Sequence, residues 1–166
     1  MNFWISSFIV GGSVPLYILW REWNVSKKAC QEPWLSAIES GEKEYEARLL
    51  INSFWANVRL GDPINLENQY TGKLVRTRVK GIRKFKDFDE AGNELGDKLI
   101  PHSVHDEFES ANMTPGKIYR DFVWRYTCKF DDSKGNFDED KYNKALEAGV
   151  VAVQLEVRKG FFWWLH

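Results

Sequence analysis

The chain begins with an apolar run that differs from everything after it. Residues 3–20 contain no charged side chain, whereas the rest of the chain is densely charged. About 20 helical residues cover a ~30 Å hydrocarbon core. Trp4 at one end and Trp20 and Trp23 at the other occupy the positions of interfacial aromatic residues. The pattern predicts a single-pass, signal-anchor type of membrane protein with a transmembrane helix within residues 1–23.

Two alternatives compete with the span. A cleaved signal peptide needs a positively charged start and a small-residue cleavage site, and the run has neither. A buried core helix would have a polar stripe, which is also missing. Arg21, Lys27 and Lys28 follow the run and no cation precedes it. The positive-inside rule therefore predicts a cytoplasmic domain, with a linker at 24–32 and one α+β domain at 33–166.

The pattern then changes from helical to extended. Pro33 suits the first position of a short helix ending at Glu39. Apolar residues recur every three or four positions over 42–58, which predicts an amphipathic helix, with a strand over 49–60 as the alternative. Residues 73–88 alternate as in a strand, with Gly81 marking a bulge. We further expect strands at 95–100, 118–130 and 150–157, and a helix at 138–148.

These elements predict the fold class. Strands predominate after residue 70 and their connections are short, which favours a mainly antiparallel sheet with two or three helices. The formal net charge of -1 argues against nucleic-acid binding. Cys30 and Cys128 are too few for a disulfide framework or a metal quartet, and no cofactor motif is present.

The strand at 73–88 carries the first candidate site. Its cations meet no acid between Lys73 and Lys86, and forked guanidinium groups suit phosphate recognition. These cations could bind an anionic small molecule or a lipid headgroup, but a solvated edge strand whose cations resist aggregation is the simpler reading, and the two can coexist. The residues are Arg76, Arg78, Lys80, Arg83 and Lys84.

Three further clusters have a simple structural interpretation. His102 and His105 with two neighbouring carboxylates could hold zinc, but a polar loop over 101–116 is the simpler reading. Residues 131–140 resemble a calcium loop with its glycine misplaced, and are read as a turn. The aromatic row of a predicted strand could line a ligand cavity, but core packing explains it as well. That row is Phe122, Trp124, Tyr126 and Phe130.

The chain ends in five consecutive large apolar residues. Such a run must pack as a last strand, enter a membrane interface or contact a partner. The candidate contact residues are Phe161, Phe162, Trp163 and Trp164. We therefore expect a non-enzymatic, membrane-anchored interaction protein that binds a protein partner, as an accessory subunit or immunity-type factor would. The alternative is a membrane-tethered module that senses an anionic ligand.

Overall fold

The computed structural model describes residues 25–107, 113–127 and 130–159. The strands are β1 (Lys27–Ala29), β2 (Tyr45–Leu49), β3 (Pro63–Glu67), β4 (Leu74–Phe85) and β5 (Val150–Val157). The helices are α1 (Trp34–Ser40), α2 (Ser53–Ala56), α3 (Phe88–Leu95), α4 (His102–Glu107), α5 (Pro115–Thr127) and α6 (Glu139–Leu146), with a 3-10 turn at Gly96–Lys98. The described residues therefore form a small α+β domain.

The five strands form one curled sheet. Their order is β1-β3-β4-β5-β2, and every pairing is antiparallel except the parallel pair β1–β3. The two edge strands approach each other, since the Arg48 side chain on β2 donates a hydrogen bond of 3.0 Å to the Ala29 carbonyl on β1. The concave face is apolar and buried along most of its length. Its core residues are Ile64, Leu66, Val75, Val79, Val151, Val153 and Leu155.

A bulge in β4 changes which side chains face the core. Val79 pairs with Leu155, but Gly81 pairs with the next residue of β5, Gln154, so Lys80 is an extra residue. Odd-numbered side chains point to the concave face before the bulge and even-numbered ones after it. The predicted strand and its bulge are confirmed. As a result Lys84 lies on the opposite face of the sheet from Arg76.

The helices begin at residues that sequence rules recognise. The side chains of Asp87 and Asp138 accept hydrogen bonds from backbone N–H groups at the starts of α3 and α6. Helix α5 begins at Pro115, directly after Thr114, whose carbonyl accepts a hydrogen bond from Ile118 N–H. The α1 helix ends at Gly41, whose φ of 87° is the left-handed conformation that glycine adopts freely.

The predicted transmembrane helix is not part of this fold. The predicted span, residues 3–20, lies outside the described residues, and no described helix has both the length and the apolarity needed to cross a membrane. The longest of them, α5, has 13 residues and spans about 20 Å, less than a hydrocarbon core. The predicted fold class with a membrane anchor, and the single-pass membrane localisation derived from it, are corrected to a small α+β domain whose described part contains no such helix.

Several predicted elements also require correction. The region 42–58 is strand β2 followed by the short α2, and the strand predicted at 95–100 is the end of α3 and a 3-10 turn. The strand predicted at 118–130 is mostly α5, in which Ile118 and Tyr119 are consecutive buried residues, a pattern that alternation does not allow. Helix α1, helix α6 and strand β5 lie where they were predicted.

Candidate ligand-binding site

The segment from Gly41 to Arg48 places three charged side chains in the domain interior. Gly41 ends α1 and the chain enters β2 at Tyr45. Glu46 and Arg48 pair in register with Val153 and Val151 of β5, so both lie on the buried concave face. Because β2 is an edge strand, these side chains reach the seam between β2 and β1. We call Lys43, Glu46 and Arg48 the buried charge row.

Lys43 is fully buried and surrounded by acceptors. Its Nζ donates to the Leu99 carbonyl at 2.6 Å and to the Tyr119 hydroxyl at 3.1 Å, and lies 3.6 Å from a Glu46 carboxylate oxygen. A protonated lysine has three N–H groups, and these three acceptors engage all of them. Burial lowers the pKa of Lys43, while Glu46 opposes that shift. Lys43 therefore has no hydrogen left for a ligand.

Glu46 connects Lys43 to Arg48. One carboxylate oxygen of Glu46 faces Lys43, and the other lies 2.5 Å from Nη2 of Arg48. The same Nη2 donates to the Ala29 carbonyl. Burial works against the charged guanidinium, but Glu46 outweighs it and the pKa of Arg48 is raised. Glu46 thus fixes the orientation of Arg48 from one side and β1 fixes it from the other.

Aromatic rings enclose the inner end of the charge row. Nζ of Lys43 lies 4.8 Å from the Trp34 ring centroid and 5.8 Å from that of Tyr119. Tyr119 stacks on Phe88 with ring centroids 4.4 Å apart. Its hydroxyl also accepts a hydrogen bond from the backbone of Ala47 on β2, and burial raises its pKa. Tyr119 therefore caps both Lys43 and an N–H group of the edge strand.

The outer end of the row is open to solvent. The Arg48 side chain is 23% exposed, and its guanidinium lies 5.6 Å from the Trp55 ring centroid. Next to Trp55, Phe54 carries Nζ of Lys28 3.6 Å from its ring centroid, a cation–π geometry. We call Lys28, Arg48, Phe54 and Trp55 the cationic corner. Both cations are positioned by the aromatic rings of one short helix, α2.

The charges of this region do not balance. Lys43 and Arg48 carry two positive charges against the one negative charge of Glu46, and no described acid pairs with Lys28. In addition, Nε of Arg48 is buried and has no hydrogen-bond acceptor in the described part of the chain. A buried donor without an acceptor costs roughly 1–3 kcal/mol. An anionic oxygen at this position would correct both the charge and the unsatisfied donor.

The structure separates the cations of the predicted basic strand. Arg76 and Lys80 lie on the outer, exposed face of β4, where Lys80 pairs with Glu156 at 2.8 Å. Arg78, half-buried, lies opposite Glu156 on the same face, and Arg83 pairs with Glu94 of α3. Lys84 is the exception, since the bulge places it on the concave face. Four of the five residues thus share the outer face and Lys84 lies on the other, and anion binding by this set stays a prediction.

The other candidates from the sequence do not form a binding site in the described part of the chain. His102 lies on helix α4, not in the predicted loop, with Asp97 3.4 Å away. The described residues contain no group of ligands that could hold a metal. Asp132 accepts hydrogen bonds from Lys134 and Asn136, as the predicted turn requires. The apolar C-terminal run (161–165) and the side chains of Phe122, Trp124 and Tyr126 lie outside the described residues.

A groove between α3, α5 and α6 is a weaker candidate. It encloses about 250 Å³ and its charged lining residues are Asp87, Asp89, Lys117 and Arg120. Asp87 is occupied in capping α3, Asp89 accepts from Gly116 N–H, and Arg120 pairs with Glu139. Acids and bases here are equal in number, and Asp87, Asp89 and Arg120 are engaged in local contacts. The groove has no excess charge that would select a ligand.

A short pattern in the sequence indicates the strand that carries the charge row, although the apolar spacing over residues 42–58 predicts a helix. Between residues 44 and 49, Tyr45, Ala47 and Leu49 alternate with Glu44, Glu46 and Arg48, a period of two typical of a strand. What the pattern could not show is that Glu46, on the polar side of this strand, is buried as well as Ala47 and Leu49 on the apolar side. The charge row depends on the seam between β1 and β2, which only the folded sheet creates.

Comparison with known proteins shows similarity at the level of structure. The chain is similar to the crystal structure of hypothetical protein PH0355, with 27% identity and a TM-score of 0.53 over 79% of this chain and 96% of that one. It is also similar to the solution structure of protein PF0455 from Pyrococcus furiosus, with 27% identity and a TM-score of 0.49 over 81% and 97%. A crystal structure of ASCH from Zymomonas mobilis is similar at 15% identity and a TM-score of 0.45, over 78% and 65%.

No family model and no curated protein sequence matches the chain. The likeness to PH0355 agrees with the small α+β domain described above.

Proposed function

We propose that this domain binds a small anionic ligand at the cationic corner, with Arg48 as the principal contact. The observation that carries the proposal is the buried Nε–H of Arg48, which has no acceptor among the described residues although the guanidinium is held on two sides. Held donors bind an anion with little loss of side-chain entropy. The excess positive charge of the row and of Lys28 favours an anion over a neutral ligand.

The buried charge row supports binding better than covalent catalysis by Lys43. A nucleophilic lysine must be neutral and must reach its substrate. The pKa of Lys43 is lowered, but its Nζ is fully buried and in contact with three acceptors. In this proposal Lys43 positions Glu46, Glu46 positions Arg48, and Arg48 contacts the ligand. Binding of a protein partner, predicted from Phe161 to Trp164, depends on residues outside the described part of the chain and stays a prediction.

The test is an anion titration of the full chain, followed by calorimetry, with inorganic phosphate and acetate as probes. Arg48→Lys keeps the positive charge but removes the Nε–H and the planar fork. Loss of a hydrogen bond between charged groups corresponds to a weakening of about 10- to 100-fold. The matched control, Arg76→Lys, makes the same change on the exposed outer face. Equal affinities for the two variants and the wild type would contradict the proposal.

A further inference from the structure

A second cation lies on the same face of the sheet as Arg48. Arg48 of β2 pairs with Val151 of β5, and Lys84 of β4 pairs with the same Val151 from the other side. Residues directly opposite each other in antiparallel strands project from the same face. Since neighbouring strands are about 4.8 Å apart, the two Cα atoms are separated by about 10 Å across Val151. Both residues therefore project from the concave face, on either side of Val151.

The position of Lys84 depends on the bulge in β4. In a regular strand without the bulge, Lys84 would project from the outer face of the sheet and Arg83 from the concave face. With the bulge, Lys84 projects from the concave face, is exposed, and has no acidic partner among the described residues. Gly81 allows the close pairing at this point, because a Cβ there would lie 2.9 Å from Oε1 of Gln154.

We infer that Lys84 is a second anchor for the ligand of Arg48, and that the ligand presents a phosphate monoester. This inference rests on the proposed function. The charge row has one excess positive charge, and Lys84 adds another on the same face. A phosphate monoester carries about -1.5 to -2 charges at pH 7 and offers three acceptor oxygens. A carboxylate or a phosphodiester carries only one negative charge and uses fewer of these donors.

The chemistry is that of a terminal phosphate, which two sources could supply. One is a soluble phosphorylated small molecule, and the other is a lipid with a phosphate monoester head. Soluble methyl phosphate and vesicles containing phosphatidic acid probe the two sources separately. Dimethyl phosphate serves as the matched monoanion, because it differs from methyl phosphate by one methyl group and one charge.

The experiment measures the binding of these probes to the full chain for the wild type and for Lys84→Gln, Lys86→Gln and Arg48→Lys. The wild type should bind methyl phosphate, or phosphatidic acid vesicles, more tightly than the corresponding diester. Lys84→Gln should weaken monoester binding about tenfold and leave diester binding nearly unchanged, since one charged hydrogen bond is lost. Lys86→Gln, which removes an exposed charge two residues away, should change neither.

The outcomes separate the two proposals. If Arg48→Lys weakens anion binding while Lys84→Gln behaves like Lys86→Gln, the second anchor is wrong and the site at Arg48 stands. If Arg48→Lys has no effect either, the proposed function fails as well. A wild type that binds dimethyl phosphate as tightly as methyl phosphate overturns the phosphate monoester inference directly.

Discussion

Strands β2 and β4 both carry charged side chains, but those of β2 are largely buried and most of those of β4 are exposed. On β2, Glu46 is nearly inaccessible and Arg48 is held between Glu46 and the Ala29 carbonyl. On β4, Arg76 and Lys80 project from the exposed outer face, where Lys80 has only a solvated partner. Desolvation makes the charges of β2 expensive and forces them into defined geometry, whereas water screens those of β4.

Counting cations along the sequence favours β4, whereas the buried geometry favours β2. The run from Lys73 to Lys86 contains seven cations and no acid along the sequence. In the fold, acids from α1, α3 and β5 pair with Lys73, Arg83 and Lys80 respectively. The Gly41–Arg48 segment contains both signs, yet it holds a buried donor, Nε of Arg48, that lacks an acceptor in the described part of the chain; it is one of several such atoms there.

The largest expected effect is on the buried row itself. Glu46→Gln leaves Lys43 and Arg48 as two buried cations without a counter-charge. Breaking a buried ion pair in this way costs about 3–5 kcal/mol in the free energy of unfolding. The control is Glu156→Gln, which removes the exposed partner of Lys80 and should cost less than about 1 kcal/mol. Denaturant unfolding measures both, and similar losses for the two variants would contradict the comparison.

A smaller loss is expected from Tyr119→Phe. This change removes the hydroxyl that accepts from Lys43 and from the Ala47 backbone, and it keeps the ring stacked on Phe88. Leaving buried donors without their acceptor costs about 1–3 kcal/mol. Tyr70→Phe removes a hydroxyl from a side chain that is 82% exposed and serves as the control. A Tyr119→Phe variant as stable as Tyr70→Phe would show that the hydroxyl does not support the row.

The pH dependence of stability should reveal the buried lysine. Burial lowers the pKa of Lys43 below its ordinary value of 10.5 in the folded state. Between the lowered pKa and 10.5 the unfolded chain binds more protons than the folded one, so this group makes the folded state relatively more stable as pH rises. The difference in unfolding free energy between wild type and Lys43→Met should therefore shift in favour of wild type over this window.

Unfolding in denaturant at several pH values up to 10.5 gives this difference. Comparison with Lys43→Met cancels the other titrating groups to first order, Cys30 and Tyr119 included, whose pKa values burial raises. A difference that falls with rising pH would mean that the pKa of Lys43 is raised in the folded state.

The smallest effect is expected on the outer face of β4. Changing Arg76, Arg78 and Lys80 together to Gln should alter the free energy of unfolding by less than about 1 kcal/mol per residue, because exposed ion pairs contribute little. The affinity for inorganic phosphate should stay within a fewfold of wild type. Calorimetric titration checks this, and a tenfold loss of affinity would return the site to the basic strand.

The sequence predicts those elements of the fold that depend on patterns among neighbouring residues. The strand with a bulge at Gly81 was predictable from its alternation, and the strand that ends at Val157 from its valine-rich run after Gly149. Helix α6 was predictable from Asp138 at its start. Helix α5 is predicted as a strand because its aromatic residues alternate, although Thr114-Pro115 is a typical start of a helix. The period-two pattern from Tyr45 to Leu49 was overlooked because longer helical spacing ran through it.

The candidate site was less predictable than the fold, for a physical reason. The acceptors of Lys43 come from Leu99 and Tyr119, which lie 56 and 76 residues away along the chain. The contact between Arg48 and Ala29 joins the two edges of the sheet. Such contacts arise from tertiary closure and leave no local pattern. Lys84 is a candidate from the sequence alone. The face of the sheet from which it projects depends on the number of extra residues in the bulge, which the sequence does not show.

In the proposed site the Nε–H of Arg48 is held in a fixed position to donate to an anion. The most direct measurement is the NMR signal of that Nε–H in the full chain, assigned by its loss in Arg48→Lys, during titration with inorganic phosphate. We expect a saturable shift of this signal, with no shift of the Arg76 Nε–H at the same concentrations. An Arg48 signal that does not move, or that moves no more than the signal of Arg76, would contradict the proposal.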